Sequence, residues 1–152
     1  REEIFISHKI SNAEQSVHRL DVRRAVQAQI TALGTSYLDM VSMHSPLTDK
    51  SRRMESYATL LDLRDGGFVK SVGVCNYGVG ALQEIKESGL DLPAINQLEL
   101  SPFNAHSDVV AWCKQNGVVV GCAAWSKLSG TSGPEDQWVV LSEIAKKKGM
   151  TK

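Results

Sequence analysis

Short apolar segments of strand length alternate along this chain with longer stretches whose apolar residues recur every three or four positions. The strand-like segments are Ile4-Phe5-Ile6, Tyr37 to Met43, Val69 to Val74, Ala94 to Leu100 and Val118 to Ala124. Between them, Val22, Val26, Ile30 and Leu33 mark a helix from about Ser16 to Leu33, ended by Gly34. Met54, Tyr57, Leu60, Leu61 and Leu63 mark a second from Arg52 to Arg64, stopped by Gly66-Gly67. Shorter helices are predicted over Gly80 to Ser88 and Asp108 to Gln115, and a last one from Pro134 to about Lys148. Strands alternating with helices at this spacing predict parallel pairing through right-handed crossovers. Val118-Val119-Val120 reads as a strand buried on both faces, as parallel sheets require. A doubly wound sheet and part of a (β/α)8 barrel fit the pattern equally well.

The chain has 152 residues, enough for one domain with a real core over residues 1–152 but short of the ~250 that a complete (β/α)8 barrel needs. Its 17 Lys+Arg balance 17 Asp+Glu, which argues against an electrostatic nucleic-acid binder. Cys75, Cys113 and Cys122 are odd in number and lie in no metal-ligand spacing. A disulfide framework or metal site is therefore not expected, and a reducing, cytoplasmic compartment is. No apolar run reaches the ~18 residues of a membrane span, and no signal-peptide segment is evident. The first residue, Arg1, is not Met, so the chain reads as a piece of something longer.

In parallel α/β folds, ligands collect at the carboxyl ends of the strands. Those ends carry Ser7-His8-Lys9, Met43-His44-Ser45-Pro46, Cys75-Asn76-Tyr77, Asn96-Gln97-Leu98-Glu99 and Trp125-Ser126-Lys127-Leu128. Each residue has a plain structural reading. Lys9 can be a solvated strand end, His44 a structural histidine, Asn76 a turn former, Gln97 a loop-backbone partner and Trp125 core. Gly78-Val79-Gly80 begins a dinucleotide fingerprint, but the third glycine position holds Gln83, so that match fails.

The ordered set of segments resembles the aldo-keto reductase family. Ile4 to Ile10 resembles the strand ending in the family's catalytic lysine, and Leu33 to Pro46 the strand that delivers its catalytic histidine. Gly66 to Tyr77 resembles its Gly-Val-Ser-Asn-Phe segment, and Pro93 to Pro102 the glutamine strand that holds nicotinamide. Ala124 to Leu128 resembles its Ala-Tyr-Ser-Pro-Leu segment, and Ile144 to Thr151 the helix leading to its seventh interhelical turn.

The resemblance implies a partial (β/α)8 TIM barrel of about five parallel βα units, the family's third to seventh, forming one domain incomplete at both ends. It implies NADPH-dependent reduction of aldehydes and ketones, a small carbonyl substrate and no nucleic-acid or membrane partner. Lys9 and His44 match two members of the family's Asp-Tyr-Lys-His tetrad; nothing here matches the Asp or Tyr. Cys75, Asn76, Gln97, Trp125, Ser126 and Leu128 match its cofactor-binding positions. Cys75 stands where the family has serine, Trp125 replaces a stacking tyrosine and Lys127 a proline. The chain alone is expected to be inactive, and open sheet edges are expected to favour self-association. The alternatives are a non-catalytic half-barrel remnant or scaffold module of the same family and, further off, an unrelated flavodoxin-type domain.

Overall fold

The computed structural model describes residues 1–101, 104–123 and 139–150. The elements are β1 (Ser7–Ile10), α1 (Arg19–Ala32), β2 (Leu38–Met43), α2 (Lys50–Asp65), β3 (Val69–Cys75), α3 (Val79–Glu87), β4 (Ile95–Glu99), α4 (Ser107–Gln115), β5 (Val119–Ala123) and α5 (Val139–Lys148). The strands form one five-stranded parallel sheet in chain order, β1-β2-β3-β4-β5. Registers of Ile10 with Met43, Met43 with Val74 and Val74 with Asn96 set one row of side chains on the same face. The chain forms two compact units. One comprises residues 1–98 and 106–121; the other comprises 99–105 and 122–152.

The first unit holds the main core. Ile10, Val41, Met43, Val72 and Val74 alternate with residues of the opposite face, and all five are buried. Val22, Val26 and Ile30 of α1, Tyr57 and Leu60 of α2, and Leu82 and Ile85 of α3 are buried as well. Helix boundaries follow polar chemistry. The Asp49 carboxylate accepts the Arg52 N–H at 3.0 Å, so α2 begins at Lys50, ahead of the predicted Arg52. The Ser16 N–H donates to Ser56 Oγ at 2.9 Å, and Ser56 Oγ donates back to Ser16 O at 3.1 Å. Ser16 is thereby held in the loop, and α1 starts only at Arg19. Gly34, with φ +61°, ends that helix as predicted.

Two predicted strands are corrected. The first is displaced from Ile4–Ile6 to Ser7–Ile10, and Ile4 and Phe5 are exposed. The Arg1 guanidinium binds Ile4 O and the Asp39 carboxylate, while that carboxylate takes the Ile6 N–H at 2.8 Å. These polar bonds occupy the backbone that a ladder needs, and pairing begins at Ser7 with Met40. Lys9 therefore lies within the strand. The last strand is not buried on both faces. Val118 is buried, but Val119 is 61% exposed and Cys122 is exposed, because β5 is an edge of this sheet.

The second unit contains an antiparallel bridge between Ser101 and Asn104, together with α5, whose last turn carries Lys146, Lys147 and Lys148 near its negative dipole end. Among the described residues, no helix is long and apolar enough to cross a membrane.

Candidate active site

Five of the eight residues singled out from the sequence lie in the first unit, at the carboxyl ends of β1 to β4. Lys9, in β1, pairs in register with Ser42, and Ser42 with Gly73. Cys75 and Gln97 are register partners two residues further along, on the same face. Lys9 Nζ donates to Gln97 Oε1 at 2.5 Å, and the Cys75 thiol donates to the same oxygen at 3.7 Å. Three inter-strand spacings would separate β1 from β4 by about 14 Å on a flat sheet. Side chains standing upright on such a sheet do not meet. The bond between Lys9 and Gln97 therefore records a wall curved towards this face, as in a barrel.

The residue between them helps. Gly73 contributes no side chain to the row that Lys9 crosses. A Cβ there would lie 2.5 Å from Ser42 Oγ and 2.8 Å from Ile95 Cγ2. Gly121 plays the same part on β5, where a Cβ would lie 2.9 Å from Ile95 Cδ1.

Asn76 follows β3 in a left-handed conformation, φ +60°, which asparagine tolerates better than most residues. Its N–H donates to Gln97 O at 2.9 Å, and its Nδ2 donates to His44 O at 3.3 Å. Asn76 thus ties the end of β2 to β4. His44 itself sits one step past β2, exposed, with its N–H on Ile10 O at 3.1 Å. The structure brings Lys9, Cys75, Asn76 and Gln97 into one bonded group and joins His44 to it through the main chain. Trp125, Ser126 and Leu128 lie outside the described residues.

Asn96 was not singled out from the sequence. It is fully buried on the helix side of β4. Its Oδ1 accepts the Tyr77 N–H at 3.3 Å, and its Nδ2 donates to Tyr77 O at 2.8 Å. This two-point clamp holds the turn that carries Asn76. The available signal was an asparagine in step with Leu98 and Leu100 on the apolar alternation of a strand, where asparagine is depleted.

Burial pushes the Cys75 thiol up, and the Lys9 ammonium beside it pulls in the opposite direction. The amide atoms are unevenly committed. Gln97 uses its oxygen for both of its side-chain bonds, and Asn76 uses its nitrogen. One amide donor, Gln97 Nε2, and one acceptor, Asn76 Oδ1, therefore remain at this rim among the described residues. A primary carboxamide needs that complement: a donor for its oxygen and an acceptor for its NH2. The Asn76 turn also borders a small cleft of about 180 Å³, lined by Tyr77, Leu98, His106 and Val109 as well.

Comparison with known proteins agrees with the sheet. The aldo/keto reductase family model matches residues 1–137, and the chain belongs to that family. A methylglyoxal reductase of Salmonella typhimurium is 35% identical over 153 residues, covering 99% of this chain and 53% of that protein. The crystal structure of an aldo/keto reductase from Brucella melitensis superposes with a TM-score of 0.84 at 31% identity, over 98% of this chain and 55% of that one. An aldo-keto reductase of Bombyx mori, solved in complex with NADP, superposes with a TM-score of 0.81 at 26% identity, over 98% of this chain and 52% of that one. The chain spans about half the length of the relatives it matches.

Proposed function

We propose that the protein to which these residues belong reduces the carbonyl of small aldehydes and ketones to the alcohol with NADPH, in the cytoplasm. The observation that carries the reading is the bonded group Lys9–Gln97–Cys75 with Asn76 at one strand-end rim, in a chain of this family. The Salmonella relative's name makes α-oxoaldehydes the first substrates to try.

Asn76 and Gln97 would hold the carboxamide of the nicotinamide through the free acceptor and donor described above, and Cys75 lines the same place. Trp125, Ser126 and Leu128 are assigned to that cofactor by sequence match alone. When bound, the nicotinamide supplies hydride to the carbonyl carbon. Lys9 sets the electrostatics of proton delivery: its ammonium favours the ionised form of a neighbouring tyrosine and so makes that tyrosine a stronger acid. That tyrosine has no counterpart among these 152 residues. His44 orients the carbonyl oxygen.

The test is NADPH consumption by the complete protein with methylglyoxal and with 4-nitrobenzaldehyde. Turnover of either, lost in His44→Ala, supports the reading. A folded protein that binds no NADPH and reduces neither would make this chain part of a non-catalytic member of the family. The 152 residues alone are expected to turn over poorly, and their open edges, β1 and β5, to favour self-association.

A further inference from the structure

We propose that Lys9 and Cys75 form an oxidant-sensitive pair that closes into a covalent nitrogen–sulfur crosslink when the protein meets a hydroperoxide. The proposal goes beyond carbonyl reduction and rests on the geometry of the pair alone. An amine from β1 and a thiol from β3 share one acceptor, Gln97 Oε1, at 2.5 Å and 3.7 Å, which places the Lys9 charge where it acts on the thiol. Lys9 is exposed, Gln97 is half-buried, and Cys75, which bonds to the same Gln97 oxygen, is buried. Cys113, also buried, has Asn96 as its polar neighbour.

The chemistry balances in two steps. The Cys75 sulfur attacks the terminal oxygen of the hydroperoxide; the O–O bond breaks, an alcohol or water leaves, and the thiol becomes a sulfenic acid. The Lys9 amine, having released its ammonium proton to solvent, then attacks that sulfur. The S–O bond breaks, an N–S bond forms and water leaves. Two equivalents of an external thiol reverse the product, restoring amine and thiol and leaving a disulfide. A nucleophile already held beside the sulfur reacts as an intramolecular partner, which favours closure over a second oxidation to the irreversible sulfinic acid. Closure would withdraw Lys9 from proton transfer and fill the carboxamide side of the rim.

The experiment is peptide mapping by mass spectrometry of the complete protein after hydrogen peroxide treatment without NADPH. Expected is a joined peptide pair containing Lys9 and Cys75, lighter by two hydrogens than the sum of the free peptides and released by dithiothreitol. Lys9→Arg keeps the charge and removes the nucleophile. In that variant, verified as folded by circular dichroism, the joined pair should vanish and Cys75 should accumulate as sulfinic acid. Recovery of wild-type Cys75 as free thiol, as sulfinic acid with Lys9 unmodified, or in a disulfide would overturn the proposal. The wild-type result needs no variant, and a protein that reduces no carbonyl yet forms the crosslink would refute the functional reading and leave this one standing.

Discussion

Lys9 Nζ on β1 and Gln97 Oε1 on β4 meet at 2.5 Å across the two strands that lie between them. That single bond joins the curvature of the sheet to the chemistry of its rim. It can form because the wall bends inward and because Gly73 adds no side chain to the row that Lys9 crosses. It holds a positive charge against the Cys75 thiol, and it commits the Gln97 oxygen, leaving the Gln97 NH2 as the amide donor of the proposed cofactor site.

Lys9 is exposed, so its bond to Gln97 adds little to stability; exposed charged pairs are commonly worth ~0.2–1 kcal/mol. In the complete protein, Lys9→Met should therefore leave the urea midpoint nearly unchanged. The same substitution should lower kcat/KM for carbonyl reduction by about 10²–10⁴-fold, the usual scale of general acid–base assistance. A large loss of stability with a matching loss of activity would make Lys9 structural.

Asn96 is the opposite case. Asn96→Ala would strip two bonds from the Tyr77 main chain and leave its N–H and C=O buried without partners. Each orphaned group costs roughly 1–3 kcal/mol, so about 2–6 kcal/mol should be lost in denaturant unfolding. Because the clamp holds the Asn76 turn, NADPH affinity should fall as well, measured under conditions where the variant is still folded. Unchanged stability would show that the turn holds itself.

Much of this was legible in the sequence. Periodicities of two and of three to four gave the five βα units and their parallel order, since strand–helix alternation at such spacing allows little else. The family's ordered motifs pointed to Lys9, Cys75, Asn76 and Gln97, which the fold joins at one rim. What escaped depended on tertiary polar contacts. The Ile4–Ile6 run looked like a strand because apolarity is visible in sequence, whereas the Arg1 and Asp39 bonds that occupy its backbone are not. The Val118–Val120 run looked doubly buried because composition does not reveal which strand is an edge. Asn96 escaped because its partner is a main chain, which leaves no mark in sequence.

The two glycines that face Ile95 should respond differently to one suppressor. Gly121→Ala brings its Cβ to 2.9 Å from Ile95 Cδ1, an atom that Ile95→Val deletes. Gly73→Ala meets Ile95 Cγ2 at 2.8 Å and Ser42 Oγ at 2.5 Å, and Ile95→Val keeps the first of those. Each alanine alone should cost about 1–3 kcal/mol of overpacking. In thermal melts, Ile95→Val should restore Gly121→Ala and leave Gly73→Ala impaired. Equal rescue of both would mean that the backbone, rather than these atoms, relaxes.

Acid should weaken the fold through Glu84 of α3. Its carboxylate pairs with the buried Arg53 of α2, whose guanidinium also binds Leu47 O. The hydrogen bond from Arg53 holds Glu84 below the ordinary carboxylate range. A carboxyl depressed in the folded state binds its proton more readily when the chain unfolds. Its stabilisation is therefore complete above the unfolded value, about 4.3, and drains away as the pH falls through the lower folded value. Glu84→Gln removes that dependence and leaves the Arg53 charge poorly matched, at a cost on the order of 1–2 kcal/mol at neutral pH for a partly exposed pair. Urea titrations from pH 7 down to pH 3 should show wild type and variant far apart at pH 7 and converging below about pH 4. A gap that stays constant with pH would mean that the variant loses packing alone, and that Arg53 finds its counter-charge elsewhere.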